Sequence, residues 1–117
     1  RVFVNLITNA IQAVEIKQKE FAELGEEPFK GKVMIFLRNS TKEGYYDIVV
    51  DDNGSGVKEE NLDRLFTPNF TTKSGGTGLG LAIVKHICAL YGAEISIESE
   101  IGAGTKAVIM IPKEVTL

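Results

Sequence analysis

The sequence predicts a single α+β domain. A long helical pattern opens the chain, two short alternating segments follow as a hairpin, and two further helices lead into two more alternating segments. With 117 residues there is enough chain for one hydrophobic core and too little for two full-sized ones. Hydrophobic residues make up 44% and charged residues 25%, an ordinary globular balance. The net charge of -3 argues against a general nucleic-acid surface, because phosphate backbones demand clustered Lys and Arg; no nucleic-acid partner is expected. Cys88 is the single cysteine, which excludes an internal disulfide or a structural zinc site and reads as a small core residue. Neither a signal-peptide pattern nor a bilayer-length apolar run is read. Arg1 and Val2 already fit the first helical pattern without a preceding cap, so the chain is expected to be cut from a longer protein.

From Val2 to about Glu23 the spacing is helical. At about 100° per residue, Phe3, Ile7, Ala10 and Val14 share one side, while Asn5, Asn9 and Gln12 lie on the opposite side. Asn prefers caps and turns, so Asn5 and Asn9 one turn apart in mid-helix suggest a demand for carboxamides on that face. They can offer oxygens to a hard cation and N–H groups to phosphate; a solvated polar face is the plainer alternative. Gln18 to Gly31 ends the helix in a loop marked by Gly25, Pro28 and Gly31. Lys32 to Arg38 is apolar on both faces and predicts a central strand. Asn39 to Gly44 is a turn, and Tyr45 to Asp51 the second strand of the hairpin.

That strand runs into Asp51, Asp52, Asn53, Gly54, Ser55, Gly56 and Val57. Adjacent strand residues face opposite sides, so only one of the two acids is expected to reach a given pocket. Asp52, with glycines two and four residues later, is the candidate, suited to hydrogen bonding an amino group; an acidic turn is the alternative. Lys58 to Phe66 predicts a short helix stopped by Pro68. Thr67 to Gly76 has no period; with Phe70 as anchor and Lys73 within reach of a phosphate it reads as a lid. Four glycines then fall within six positions, at Gly75, Gly76, Gly78 and Gly80, directly before a helix from Leu79 to Tyr91. A glycine turn opening a helix is suited to phosphate, and is also an ordinary loop. His86, the only histidine, is expected to be a partly buried helix residue rather than a base or phosphoacceptor. Strands around Ile95 to Ile97 and from Lys106 to Ile111 flank a tight turn at Gly102 to Thr105.

Taken together, NLITNA at Asn5 to Ala10, DDNGSGV at Asp51 to Val57, LFTPNFTTK at Leu65 to Lys73, GTGLGLAI at Gly76 to Ile83 and GAGT at Gly102 to Thr105 closely resemble the N, G1, F and G2 boxes and the final turn of one family. It is the catalytic ATP-binding domain of sensor histidine kinases, within the superfamily of gyrase-type topoisomerases, mismatch-repair ATPases and a heat-shock chaperone family. The resemblance implies a Bergerat-type ATP-binding fold, a two-layer α/β sandwich whose mixed sheet carries helices on one face. By motif position, Asn9 would ligate Mg²⁺ with Asn5 beside the metal and phosphates. Asp52 would accept from the adenine amino group, Gly54 and Gly56 would face the nucleotide with no side chain between, and Thr105 would support Asp52 through water. Phe70, Thr72 and Lys73 would belong to the lid. Gly76, Thr77, Gly78, Leu79 and Gly80 would surround the phosphates, and Val57 and Leu81 would line the base pocket.

The chain departs from the family pattern where Gln12 and Ala13 replace a frequent basic residue and a frequent aromatic, although this N box with a PxFTTK lid resembles the nitrogen-regulation subgroup. The superfamily's hydrolases keep a glutamate where this chain has Asn5, and an amide is no general base, so ATP is expected to be held rather than hydrolysed. The family's nucleophile is a histidine on a separate dimerisation domain, so no catalytic residue is assigned here. Implied partners are that dimerisation and phosphoacceptor domain and a response-regulator receiver domain. A homodimer is expected for the full-length protein, and a cytoplasmic position for this domain of a sensor that can be membrane-bound. The rival readings are a serine kinase of the anti-sigma type and a nucleotide-sensing module without catalysis.

Overall fold

The computed structural model describes residues 1–68 and 80–114. Among these the elements follow in the order α1 (Val2–Glu23), β1 (Val33–Asn39), β2 (Tyr45–Asp52), α2 (Glu59–Leu62), α3 (Gly80–Leu90), β3 (Glu94–Glu100) and β4 (Gly104–Pro112). The strands form one sheet in the order β1-β2-β4-β3. Leu6 and Ala10 of α1 and Val84 and Cys88 of α3 pack with Val50, Ala107 and Ile109 of the sheet, which gives the two layers the resemblance implied. The sheet is not mixed among the described residues: each neighbouring pair is antiparallel. The cause is local, because β1–β2 and β3–β4 are both joined by short turns and two such hairpins meet through β2 and β4.

The first helix begins and ends where its periodicity predicts, but its buried line differs. Leu6, Ala10 and Val14 are buried, while Phe3 is 39% exposed. At about 100° per residue the buried direction is turned by about 30° toward the asparagines. Contact with both β2 and α3 accounts for this, since the buried line must serve two neighbours at once.

The strand expected to be central, β1, is an edge. Ile35 and Leu37 are 53% and 61% exposed, because α1 and α3 cover the middle of the sheet instead. Its other row has a different use. Phe36 pairs with Val49, and Val49 with Val108, so β1 flanks Val49 on the face opposite α1 and α3, where it is fully buried. A strand apolar on both faces thus indicates an apolar patch on each face of the sheet, not a central position.

The remaining differences are at element ends. The Lys58 to Phe66 segment holds a helix only over Glu59–Leu62, with no side-chain cap, and continues as tighter turns in which Arg64, Leu65 and Thr67 N–H groups donate three residues back. In α3 the buried line is Val84 and Cys88, so His86 is exposed rather than partly buried. Cys88 is a core residue as expected, and burial pushes its thiol pKa up.

Candidate functional site

The end of β2 supplies the centre of the site. Asp52 is only 8% exposed and pairs with Thr105 of β4, which pairs in turn with Ser99 of β3. Directly paired residues point to the same side, so Asp52, Thr105 and Ser99 form a row across three strands on the helix-bearing face. Asp51 pairs with Lys106 on the opposite face. The two acids therefore face opposite sides of the sheet, as strand alternation requires. One Asp52 carboxylate oxygen accepts the Gly54 N–H at 2.8 Å, an Asx turn that fixes the carboxyl and starts the following loop.

The loop from Asn53 to Val57 is seated on three sides. Ser55 N–H donates to the Ala13 carbonyl of α1 at 3.2 Å, and Gly102 N–H donates to the Ser55 carbonyl at 2.8 Å. Val57 N–H donates to Ser99 Oγ, also at 2.8 Å. A Cβ on Gly54 would lie 2.5 Å from the Ala13 carbonyl carbon, and one on Gly56, at φ 75°, would strike the Glu100 carbonyl oxygen. The vacant side-chain positions of these glycines are thus turned to protein; they allow close backbone packing that holds Asp52 in place. Lys17 ties the loop further. Its ammonium donates to the Gly102 carbonyl at 2.6 Å and the Asn53 carbonyl at 3.3 Å, and lies 4.4 Å from the Phe29 ring centre. Asn53 accepts from Lys32 N–H and donates to the Lys30 carbonyl.

Sequence reasoning singled out neither Lys17, Asn53 nor Ser99. Asn53 carried a usable signal, an Asn at a strand end that can bond backbone; Ser99 carried none without the strand register.

Asn5 and Asn9 are half-buried on α1, one turn apart. Asn5 approaches the first residue of α3: the Cβ position of Gly80 lies 3.9 Å from both Asn5 Cγ and Oδ1. The carboxamide helix and the start of the glycine-led helix, far apart in sequence, are therefore neighbours. Leu81 is half-buried and packs against the core cluster. Phe70, Thr72, Lys73, Gly76, Thr77, Gly78 and Leu79 lie outside the described residues. Among the described residues no group of three or more His, Cys, Asp or Glu could hold a metal. Two carboxamide oxygens are hard donors too few to enclose Mg²⁺, and fit an ion that takes its other oxygens from phosphate and solvent.

The sheet's other face carries a separate groove of about 380 Å³, lined by Arg38, Asp47, Glu98 and Met110 among others. There Arg38 Nε is 3.1 Å from Asp47 Oδ2, the ion pair that accompanies this buried acid.

The family model described as "Histidine kinase-, DNA gyrase B-, and HSP90-like ATPase" matches residues 1–115. The chain belongs to this family. Among curated relatives of this ATPase domain, Sporulation kinase D of Bacillus subtilis (strain 168) is 44% identical over 85 residues, covering 73% of this chain and 16% of the relative. Sensor histidine kinase ZraS of Escherichia coli (strain K12) is 35% identical over 117 residues, covering 99% of this chain and 22% of the relative. The chain thus spans 16% to 22% of the length of these relatives. The solved catalytic domain of histidine kinase ThkA matches with a TM-score of 0.69 at 31% identity, over 96% of this chain and 64% of that one. Full-length ShkA gives a TM-score of 0.75 at 25% identity, over 98% and 21%. The resemblance to histidine kinase ATP-binding domains and the α+β sandwich are borne out. None of these four proteins is named for nitrogen regulation, and that subgroup is not assigned.

Proposed function

We propose that this ATPase-family domain binds ATP with Mg²⁺ and presents the γ-phosphate to a histidine on a separate dimerisation domain, from which an aspartate of a response regulator is phosphorylated. The observation that carries this reading is the buried Asp52 held beside Thr105 at the end of β2, with the same sheet face leading to α1 and its asparagines. Support comes from the relatives named as sporulation and sensor histidine kinases, and from ShkA, described in complex with AMPPNP, an ATP analogue.

In this reading each group has one task. Asp52 accepts from the adenine amino group, its orientation set by the Gly54 N–H. Val57 and Leu81 bound the base, and Thr105 supports Asp52. Asn9 and Asn5 would hold Mg²⁺, which would neutralise phosphate charge and orient the terminal phosphate when bound. Gly54 and Gly56 seat the Asp52 loop; Gly76, Thr77, Gly78, Leu79 and Gly80 surround the phosphates under a lid that includes Phe70, Thr72 and Lys73. With an amide at Asn5, the chain has no general base there, which suits transfer to an outside histidine better than hydrolysis. No helix among the described residues is long and apolar enough to cross a membrane. The domain would work on the cytoplasmic side, where ATP is available, in a homodimeric full-length kinase.

The deciding experiment is nucleotide binding by calorimetry. Asp52→Ala should weaken ATP at least about 100-fold, the loss expected when a buried charged acceptor of a base donor is removed. Unchanged affinity would remove Asp52 from the site. In the full-length protein, label from γ-³²P-ATP should be acid-labile, as phosphohistidine is; acid-stable phosphoserine would establish the anti-sigma type of kinase instead, and ATP binding without any label would establish a sensing module.

A further inference from the structure

Ser99 has no role in the reading above, yet it joins the parts of the site that would meet a nucleotide base. Its Oγ is 2.8 Å from the Val57 backbone nitrogen, 2.8 Å from the Gly104 carbonyl oxygen and 2.9 Å from Thr105 Oγ1. A serine hydroxyl has one proton and two lone pairs, and the three partners are chemically distinct. The Val57 N–H can only donate, and the Gly104 carbonyl can only accept. Ser99 therefore gives its single proton to Gly104 and receives one from Val57. Its remaining lone pair faces Thr105, so all three contacts are satisfied only if Thr105 donates its own proton to Ser99. The Thr105 hydroxyl then has lone pairs alone to offer any further partner.

Thr105 stands beside Asp52 in the strand register, on the same side of the sheet. We propose that Ser99 is a positioning residue that sets base specificity, by holding Thr105 as a hydrogen-bond acceptor next to the Asp52 carboxylate. The inference rests on the adenine-nucleotide reading and deepens it. Two neighbouring acceptors select a base edge that donates, as the 6-amino group of adenine does. They disfavour a keto oxygen at the same position, which would face two lone-pair-bearing groups.

The test is calorimetric binding of ATP and ITP to the 117-residue chain with Mg²⁺; ITP carries a keto oxygen at the position of the adenine amino group. In Ser99→Ala the Thr105 hydroxyl is released and can turn its proton toward the base. The preference for ATP over ITP should fall about 10-fold, the equivalent of one hydrogen bond, and Ser99→Thr should keep it. Loss of the Val57 bond weakens both nucleotides alike and cancels in the ratio. An unchanged ratio in a folded Ser99→Ala protein would overturn the proposal. Thr105→Val gives an independent check, because Ser99 acts through that hydroxyl: its ratio should fall as well, and an unchanged one would overturn the proposal even if Ser99→Ala fails to fold. If the unaltered chain binds neither nucleotide, the adenine-nucleotide reading fails with it; if it binds ATP and the ratios do not move, only the role of Ser99 fails.

Discussion

Asn9 shows how a single side chain tests the phosphate end of the site. A half-buried asparagine in mid-helix is less favourable there than alanine by about 0.5 kcal/mol, so replacing it should not weaken α1 through propensity. Its proposed value lies in a carboxamide oxygen offered to Mg²⁺. Asn9→Ala is therefore expected to lower ATP affinity about 10-fold when Mg²⁺ is present and to change it little in EDTA, both read by calorimetry. Equal loss under the two conditions would mean that the side chain contacts nucleotide or protein and holds no metal. Asp52 was legible at the same scale, because strand alternation separated it from Asp51 and a glycine two residues on allowed the Asx turn. The partners that fix it were less legible. Thr105 was reached only through family resemblance, and Ser99 becomes visible only when β3 and β4 are set in register.

Among the elements, helix and strand types could be read from periodicity, whereas their rotation and order could not. A single helix pattern reports the apolar arc as a whole, and α1 spends its arc on β2 and α3 together, which moves the buried line to Leu6, Ala10 and Val14. Likewise the doubly apolar β1 lies at the edge, since its Phe36 row serves the sheet face opposite α1 and α3. One close contact fixes how α1 approaches the start of β1. A Cβ built on Gly31 would strike Val14 Cγ1 and would lie 3.2 Å from Gln18 Nε2. Gly31→Ala should therefore destabilise the fold by about 2 kcal/mol in denaturant titration, as overpacking does, and Val14→Ala alone should cost a similar amount through lost burial. The double variant should cost about 1 kcal/mol or more less than the sum, because the shortened side chain makes room for the new methyl. Strict additivity would show that the loop at Gly31 moves away freely and does not set the position of α1.

For the molecule as a whole, one shared core makes the ionisation of a buried group a property of global stability. Cys88 lies in the cluster that joins α1, α3 and the sheet, and it is 5% exposed. Burial raises its thiol pKa above the ordinary value of 9.0, since a thiolate would lose its hydration among Val84, Ala107 and Ile109. The sign follows from proton counting. Between the ordinary pKa and the raised one, the folded chain keeps a proton that the unfolded chain has released, so unfolding stability falls as pH rises. Below about pH 9 both states hold the proton and the group contributes no pH dependence. Stability of the unaltered chain should thus decline relative to Cys88→Ala as pH rises above about 9. The comparison with the variant removes the titration of lysines and tyrosines, which both proteins share. Parallel stability curves in guanidinium titrations over that range would mean that the thiolate finds hydration in the folded state, and that the contact between α3 and the sheet opens far more readily than its burial indicates.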